Sequence, residues 1–443
     1  MPPRKTDSSD IQPQGEPSAW RFALRALAYR NYRLFFGGQS ISLIGTWMTK
    51  IATSWLVYRL TGSAFLLGIV GFAGQIPAFV LAPFAGVWID RWDLHRTLVV
   101  TQVLSMIQSF ALAGLALSGI ITVQEIIWLS VAQGLINAFD VPARQAFVVE
   151  MIEGREDLSN AIALNSSMVN AARLIGPSVA GILIAGVGEG YCFLIDGISY
   201  IAVLYSLLAM KNLLPGLRKP PRNVGQELAE GWHYIISSPA IRWILLMLTL
   251  VSVIGMPFTV LLPIVADKVL GGGPHTLGFL TAATGVGALT AAMALAMRRS
   301  VRGLVKWLGI AAAILGGSLI LFGLSHSLWW SLALMYGAGY GMMQQIVTSN
   351  TILQTIVADD KRGRVMSFYA MSVFGFSPIG SLIAGSLASW MGAPQTLILG
   401  GVLCLCASIW YFGRLREIRR AIRPVYIEMG IVPDPSVITS EQQ

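Results

Sequence analysis

Lys50, Asp140, Arg173 and Asp196 are charged residues set inside runs of apolar ones, where charge is expensive unless it is paired or used. Lys50 and Arg173 lie too deep for their charged heads to reach water easily along the stem. Two readings stand open for them: an internal ion pair, with Asp140 or Asp196 as partner by depth, or contact with an anionic or polar substrate. A carboxylate in low dielectric can take up and release protons near neutral pH. Asp140 and Asp196 are therefore the candidate proton-coupling groups, with Asp140 ahead because it falls on a polar stripe. Against it, Arg144 at i+4 is placed to hold Asp140 ionised as a structural pair. The second half of the chain offers no acid at such depth. Asp267 and Lys268 fall at an outer interface, with no role foreseen.

Helical spacing gathers further polar residues. Gln133, Asn137, Asp140 and Arg144 follow i, i+4, i+7 and i+11 and share a face, as do Ser166, Asn170, Arg173 and Pro177. Ser42, Thr46, Thr49 and Thr53 form a third stripe beside Lys50, and Gln344, Thr348, Thr351 and Thr355 a fourth. Polar faces on membrane helices turn away from lipid, toward a hydrated cavity or toward other helices. Both remain open. The candidates for a substrate cavity are Thr46, Lys50, Gln133, Asn137, Asn170, Arg173, Gln344 and Thr348.

The elements that hold these residues follow from composition. Hydrophobic residues make up 55% of the 443 and charged ones 12%, against roughly 25% charged in soluble domains. A helix needs about 20 apolar residues to cross a bilayer, and twelve such runs can be marked, from 34–58 to 394–415. The predicted fold is all-α, a polytopic membrane protein of 12 transmembrane helices. Basic residues set its orientation. Arg91 and Arg96, Arg144 and Arg155, Arg298, Arg299 and Arg302, Lys361, Arg362 and Arg364, and the tail from Arg414 to Arg423 fall on one side; Arg59 and Lys268 fall on the other. The positive-inside rule then makes both termini cytoplasmic. That distribution accounts for the net charge of +9 and speaks against nucleic acid. No cleavable signal peptide is expected before the first run. Cys192, Cys404 and Cys406 all sit in apolar stretches and are expected to be buried, inert thiols. Their number and spacing give neither a disulfide framework nor a metal site, and no cofactor is foreseen.

Residues 211–240 read as a cytoplasmic linker, Pro-rich and basic at first, then an amphipathic helix from Gln226 on the membrane surface. It separates two halves of six helices, 31–210 and 241–416, flanked by tails 1–30 and 417–443. The halves repeat. Gly176, Ala180, Gly181, Leu183 and Gly188 correspond to Gly380, Ala384, Gly385, Leu387 and Gly392 at one constant offset, 204 residues (380 − 176). Between the second and third runs, the short elbow Gly86–Arg96 crowds Asp90, Arg91, Asp93 and Arg96 together. By itself this is a tight turn that anchors topology.

The chain resembles the major facilitator superfamily from Asn31 to Arg416, and within it the drug- and siderophore-exporting branch. The resemblance rests on Asn31–Phe36, Val141–Gln145, Gly176–Pro177, Gly363–Tyr369 and the elbow. The superfamily loop motif Gly-x-x-x-Asp-Arg-x-Gly-Arg-Arg is met at Gly86, Asp90 and Arg91 and departs at Asp93, Leu94 and His95. The span-five antiporter motif is met at Gly176, Pro177 and Gly181, with Ala180 in place of a glycine. Ser130 stands where the span-four motif places an arginine. The resemblance implies a conformational gate, with Asp90 facing the start of span eleven near Arg364, where the helix dipole favours a negative charge. It also implies a cavity lined by spans one, four, seven and ten, and export rather than import.

The function expected is a secondary active exporter of amphipathic small molecules, drug- or siderophore-like, by proton antiport with alternating access. It would sit as a monomer in a bacterial cytoplasmic membrane, with the lipid bilayer, protons and its substrate as partners. Alternatives are an importer or lipid flippase of the same fold, or a non-transporting membrane receptor or scaffold. No P-loop and no nucleophile–base arrangement point to an ATPase or another enzyme.

Overall fold

The computed structural model describes residues 24–89, 91–152, 154–211, 224–298 and 300–432, which form helices joined by turns and short irregular connections. After a short 3-10 turn at Arg25–Ala28 come α1 (Arg30–Thr61), α2 (Ala64–Ala73), α3 (Ile76–Ile89), α4 (Leu94–Leu117), α5 (Val123–Glu150), α6 (Arg155–Val187) and α7 (Glu189–Leu208). The linker helix α8 (Val224–Ser237) leads to α9 (Pro239–Ile254), α10 (Phe258–Ile264), α11 (Pro274–Ala296), α12 (Leu304–Leu324) and α13 (Leu328–Ile356). The last are α14 (Asp359–Ala370), α15 (Ser377–Met391) and α16 (Ala393–Glu428). A π-helical turn at Met371–Gly375 links α14 to α15, and another at Val265–Val269 extends α10.

Among the described residues, ten helical stretches are long and apolar enough to cross a bilayer, counting α2 with α3, α9 with α10, and α14 with α15 as single stretches. The helices α1 and α13, 32 and 29 residues long, fall outside these ten. Polar stripes dilute the hydropathy of both, a composition suited to facing other helices rather than lipid. The last helix runs unbroken to Glu428, well past the expected end of its span at 415.

Local chemistry sets the boundaries. Ser63 Oγ accepts from Leu66 N–H at 3.3 Å to begin α2, and Thr122 with Glu125 forms a capping box on α5. Asp93, a departure from the loop motif, caps α4 by accepting from Arg96 N–H at 2.9 Å, a contact worth about 1 kcal/mol. The elbow is further fastened by Trp88 and Trp92, which stack on each other and on Phe139 of α5 at 5.8–6.1 Å between ring centroids.

Packing divides the helices into two groups. In the first, α1 packs on α6 and α7, α4 on α5 and α7, and α3 on α5. In the second, α13 packs on α11 and α12, and α16 on α9 and α12. The groups meet along two seams, α6 with α11 and α2 with α15. Glycines make both close approaches. A Cβ on Gly278 would lie 2.6 Å from the Pro177 carbonyl oxygen and 3.0 Å from Gly181 Cα. On Gly385 it would lie 2.7 Å from the Ala64 carbonyl oxygen and 2.8 Å from Gly68 Cα. The sequence repeat is thus also a repeat of geometry. Gly181 and Gly385 hold equivalent seams, and Gly188 and Gly392 turn α6 into α7 and α15 into α16 with φ of +92° and +94°.

Contacts described between the groups run from mid-span, where Phe79 meets Phe376 at 6.2 Å, to the face opposite the basic loops. There Tyr58 Oη donates to Asp267 Oδ2 across the seam. Asp267, expected to be idle, therefore ties the groups together. The cysteines divide as well: Cys192 and Cys404 are buried, but Cys406 is exposed, because its place on α16 faces outward from the bundle.

Candidate functional site

A polar core runs through the first group, and α4 is its spine. Thr101, Gln102, Ser105, Gln108 and Ser109 recur along one face of α4 and are all buried. Asp140, 3% exposed, accepts at Oδ1 from Thr101 Oγ1 at 2.9 Å and Gln102 Nε2 at 2.7 Å. Its Oδ2 accepts a short charge-assisted bond from Arg144. Arg144 therefore belongs to the core and not to a basic loop, and Asp140 has a cation and two further donors.

Asp196, 1% exposed, is served differently. Its Oδ2 accepts from Thr49 Oγ1 at 2.8 Å and Ser109 Oγ at 2.7 Å. Its Oδ1 is buried with no donor. That oxygen lies against Gly45 of α1, where a Cβ would be 2.6 Å away. Among the described residues no cation pairs with Asp196. Between the two acids stand Ser105, which accepts from Gln133 Nε2 at 3.3 Å, and Tyr200, whose hydroxyl lies 3.4 Å from Thr46 Oγ1. Gln133 also donates to Asn137 Oδ1 at 3.2 Å.

Of the two readings left open for Lys50 and Arg173, the ion pair with Asp140 or Asp196 is not formed. Arg144 has taken Asp140, and Asp196 is turned into the junction of α1, α4 and α7. Lys50 and Arg173 converge instead on the indole of Trp47, at 4.2 Å and 5.1 Å from its ring centroid. Both are measured to one point, so the two charges stand at most about 9 Å apart. At an effective dielectric of about 20 their repulsion costs about 2 kcal/mol. Arg144 adds a third positive charge to the surroundings of Lys50. Arg173 Nε is buried without an acceptor, whereas Lys50 is exposed although it stands well inside α1. Gly176 brings the helices together here, since a Cβ on it would lie 2.5 Å from Trp47 Cβ. Pro177 and Gly181 belong to the seam with α11. Of the other candidates, Thr46 donates to the Ser42 carbonyl at 3.0 Å and Asn170 to the Ser166 carbonyl at 2.9 Å.

Gln344 and Thr348 lie apart, in the second group. They are 3% and 0% exposed, on the helix α13 that packs on α11 and α12. Gln344 Oε1 and Thr348 Oγ1 have no hydrogen-bond partner there. Thr351 of the same stripe instead lines a groove of about 430 Å³ with Arg298, Ser300 and Asn350.

Of the expected gate, Asp90 lies outside the described residues. Gly86 is in the last turns of α3, and Arg91 is exposed in the turn that follows. Arg364 of α14 has its guanidinium 2.7 Å from Glu230 of the linker helix α8. Trp232 against Phe368, at 6.0 Å, docks the same two helices. Glu230, Trp47, Tyr200 and the α4 stripe were missed in the sequence. The i, i+4, i+8 spacing of Thr101, Ser105 and Ser109 was available there as a signal, whereas the convergence of cations on Trp47 was not.

Comparison with known proteins places this geometry. The family model described as transmembrane secretion effector matches residues 22–427. The chain is 27% identical to the staphyloferrin A transporter of Staphylococcus aureus, over 86% of this chain and 95% of that one. It is 26% identical to the multidrug efflux pump Tap of Mycolicibacterium fortuitum, again over 86% and 95%. Among solved structures, a bacterial homologue of the human lysosomal transporter Spinster, inward-facing and unoccupied, superposes with a TM-score of 0.67 at 14% identity, over 92% of this chain and 99% of that one. At that identity the likeness concerns the fold.

Proposed function

Because the chain belongs to the transmembrane secretion effectors of the major facilitator superfamily, a family of membrane transporters of small molecules, we propose that it is a proton-coupled exporter. Its cargo would be amphipathic, drug- or siderophore-like molecules, carried out across a bacterial cytoplasmic membrane by alternating access. In this reading α1 and α13 complete twelve spans in two six-helix halves, and the basic loops face the cytoplasm. The two glycine seams and the Tyr58–Asp267 bond then hold the outer side shut. We take the form described here as the one open to the cytoplasm, because the contacts described between the groups lie at mid-span and on the opposite side.

The observation that carries the coupling is Asp196: a buried carboxyl with two hydroxyl donors on one oxygen, none on the other and, among the described residues, no cation. Such a group can exchange a proton without breaking an ion pair, whereas Asp140 would have to give up Arg144. Thr49 of α1 and Ser109 of α4 both hold Asp196, so its protonation is linked to how these helices pack. Proton entry over about one pH unit and about 100 mV releases about 1.4 and 2.3 kcal/mol. Together these sustain a gradient on the order of several hundred-fold for a neutral substrate.

The test is transport by the full chain in proteoliposomes with an imposed pH gradient. We expect Asp196→Asn to lose gradient-driven accumulation while keeping substrate exchange at equilibrium. Gradient-driven transport at the unaltered rate by Asp196→Asn would remove Asp196 from the mechanism. Uptake toward the basic face in place of export would reverse the assigned direction.

A further inference from the structure

Resting on the transporter reading, we propose that Trp47, Lys50 and Arg173 form the binding site for the acidic group of the cargo. The substrate class is then amphipathic organic anions bearing an oxyanion such as a carboxylate. Two cations share one indole, and the acids that could neutralise them are otherwise engaged. Asp140 is held by Arg144, Thr101 and Gln102, and Asp196 by Thr49 and Ser109. A cation pair that served only to lock helices together would have its counter-ion inside the protein. Here none is supplied among the described residues, one guanidinium nitrogen is buried without an acceptor, and Lys50 is an exposed residue with no acid against it.

The chemistry of the three side chains fits one ligand type. A guanidinium presents a planar fork of donors that matches a carboxylate, and an ammonium adds a point charge with rotatable donors. The indole offers an apolar face beside them, suited to the body of an amphipathic molecule. Gly176 fixes the arrangement, because its lack of a side chain seats α6 directly on Trp47. This gives the antiporter-motif glycine a second consequence, the placing of Arg173 one turn earlier against the same indole. An anion at this position bridges α1 and α6, both of which belong to the first group, so it binds before the two groups close around it.

The experiment compares 2-naphthoate with neutral 2-naphthamide as probes of nearly equal shape, by calorimetric titration of the full chain in lipid nanodiscs. Preference for naphthoate by about tenfold or more, reduced about tenfold in Lys50→Gln and in Arg173→Gln with naphthamide unchanged, is the expected result. Lys50→Arg should restore naphthoate binding. Equal affinity for the two probes in the unaltered protein overturns the proposal, as does naphthoate binding that both glutamine variants retain. Should a glutamine variant fail to fold, the unaltered protein's preference and the Arg173→Lys and Lys50→Arg variants decide. Transport in proteoliposomes separates the two readings. Charge-dependent binding with no translocation would sink the exporter and leave the site. Gradient-driven movement of naphthamide with naphthoate excluded would sink the site and leave the exporter.

Discussion

At the scale of single residues, the two deep acids do different work because their neighbours differ. Asp140 is locked by a cation one turn along its own helix and by two donors of α4. Removing one partner of such a buried pair leaves an uncompensated charge, which costs about 3–5 kcal/mol. We expect Arg144→Gln to lower the thermal midpoint of the detergent-solubilised protein far more than Asp196→Asn, since among the described residues Asp196 has no ion pair to lose and one of its oxygens is unbonded. Similar midpoints for the two variants would contradict these assignments. The i+4 spacing made the Asp140–Arg144 pair legible in the sequence. The isolation of Asp196 was not legible, because it depends on Thr49 and Ser109 arriving from helices 147 and 87 residues away.

At the scale of elements, function rests on how helices approach and part. The seams are backbone against backbone at Gly181 with Gly278 and at Gly68 with Gly385. A leucine at Gly278 has no room, and overpacking of this kind costs about 1–3 kcal/mol. That penalty falls on the state in which the seam is closed, so the opposite state gains population on the order of 5- to 150-fold. Raised labelling by an impermeant maleimide of a cysteine placed at Tyr58, in a cysteine-free Gly278→Leu background, is the expected readout. Unchanged labelling would mean that the seam does not govern the balance. The linker helix makes a second such contact through Glu230 and Arg364. Arg364 was read from the sequence as the gate partner of Asp90, and in this conformation it is engaged by α8. Glu230→Gln should release it and shift the balance away from the form described here, seen as slower labelling from the basic face.

At the scale of the whole molecule, the bundle is apolar outside, and among the described residues its buried acids all lie in the first group. The second group is closed by large apolar residues such as Phe322, Met247 and Leu308. The charged chemistry is therefore lopsided: α1, α5, α6 and α7 supply the acids and cations of the candidate site, and in the proposed mechanism the second group supplies the surface against which they move. Orientation can be checked directly. In a background without native cysteines, a cysteine at Ser118, exposed between α4 and α5, should react with impermeant maleimide on intact cells. One at Arg302, exposed between α11 and α12, should react only after permeabilisation. The reverse pattern would invert the membrane topology.

The sequence by itself determined the helices, the repeat and the polar stripes. These are local or periodic properties: apolar run lengths, a constant offset of 204 residues (392 − 188) ending on Gly188 and Gly392, and spacing at the helical period. It also pointed to Lys50, Asp140, Arg173 and Asp196, because a charge in an apolar run stands out wherever it folds. Which charge meets which was decided only by tertiary structure. Depth alone allowed Lys50 or Arg173 to pair with either acid. Packing of α1 on α6 through Gly176 instead brought both cations to Trp47, and packing of α4 on α5 and α7 filled the acids with hydroxyl and amide donors. Contacts of that kind depend on distances between helices far apart in the chain, which no periodicity within one helix encodes.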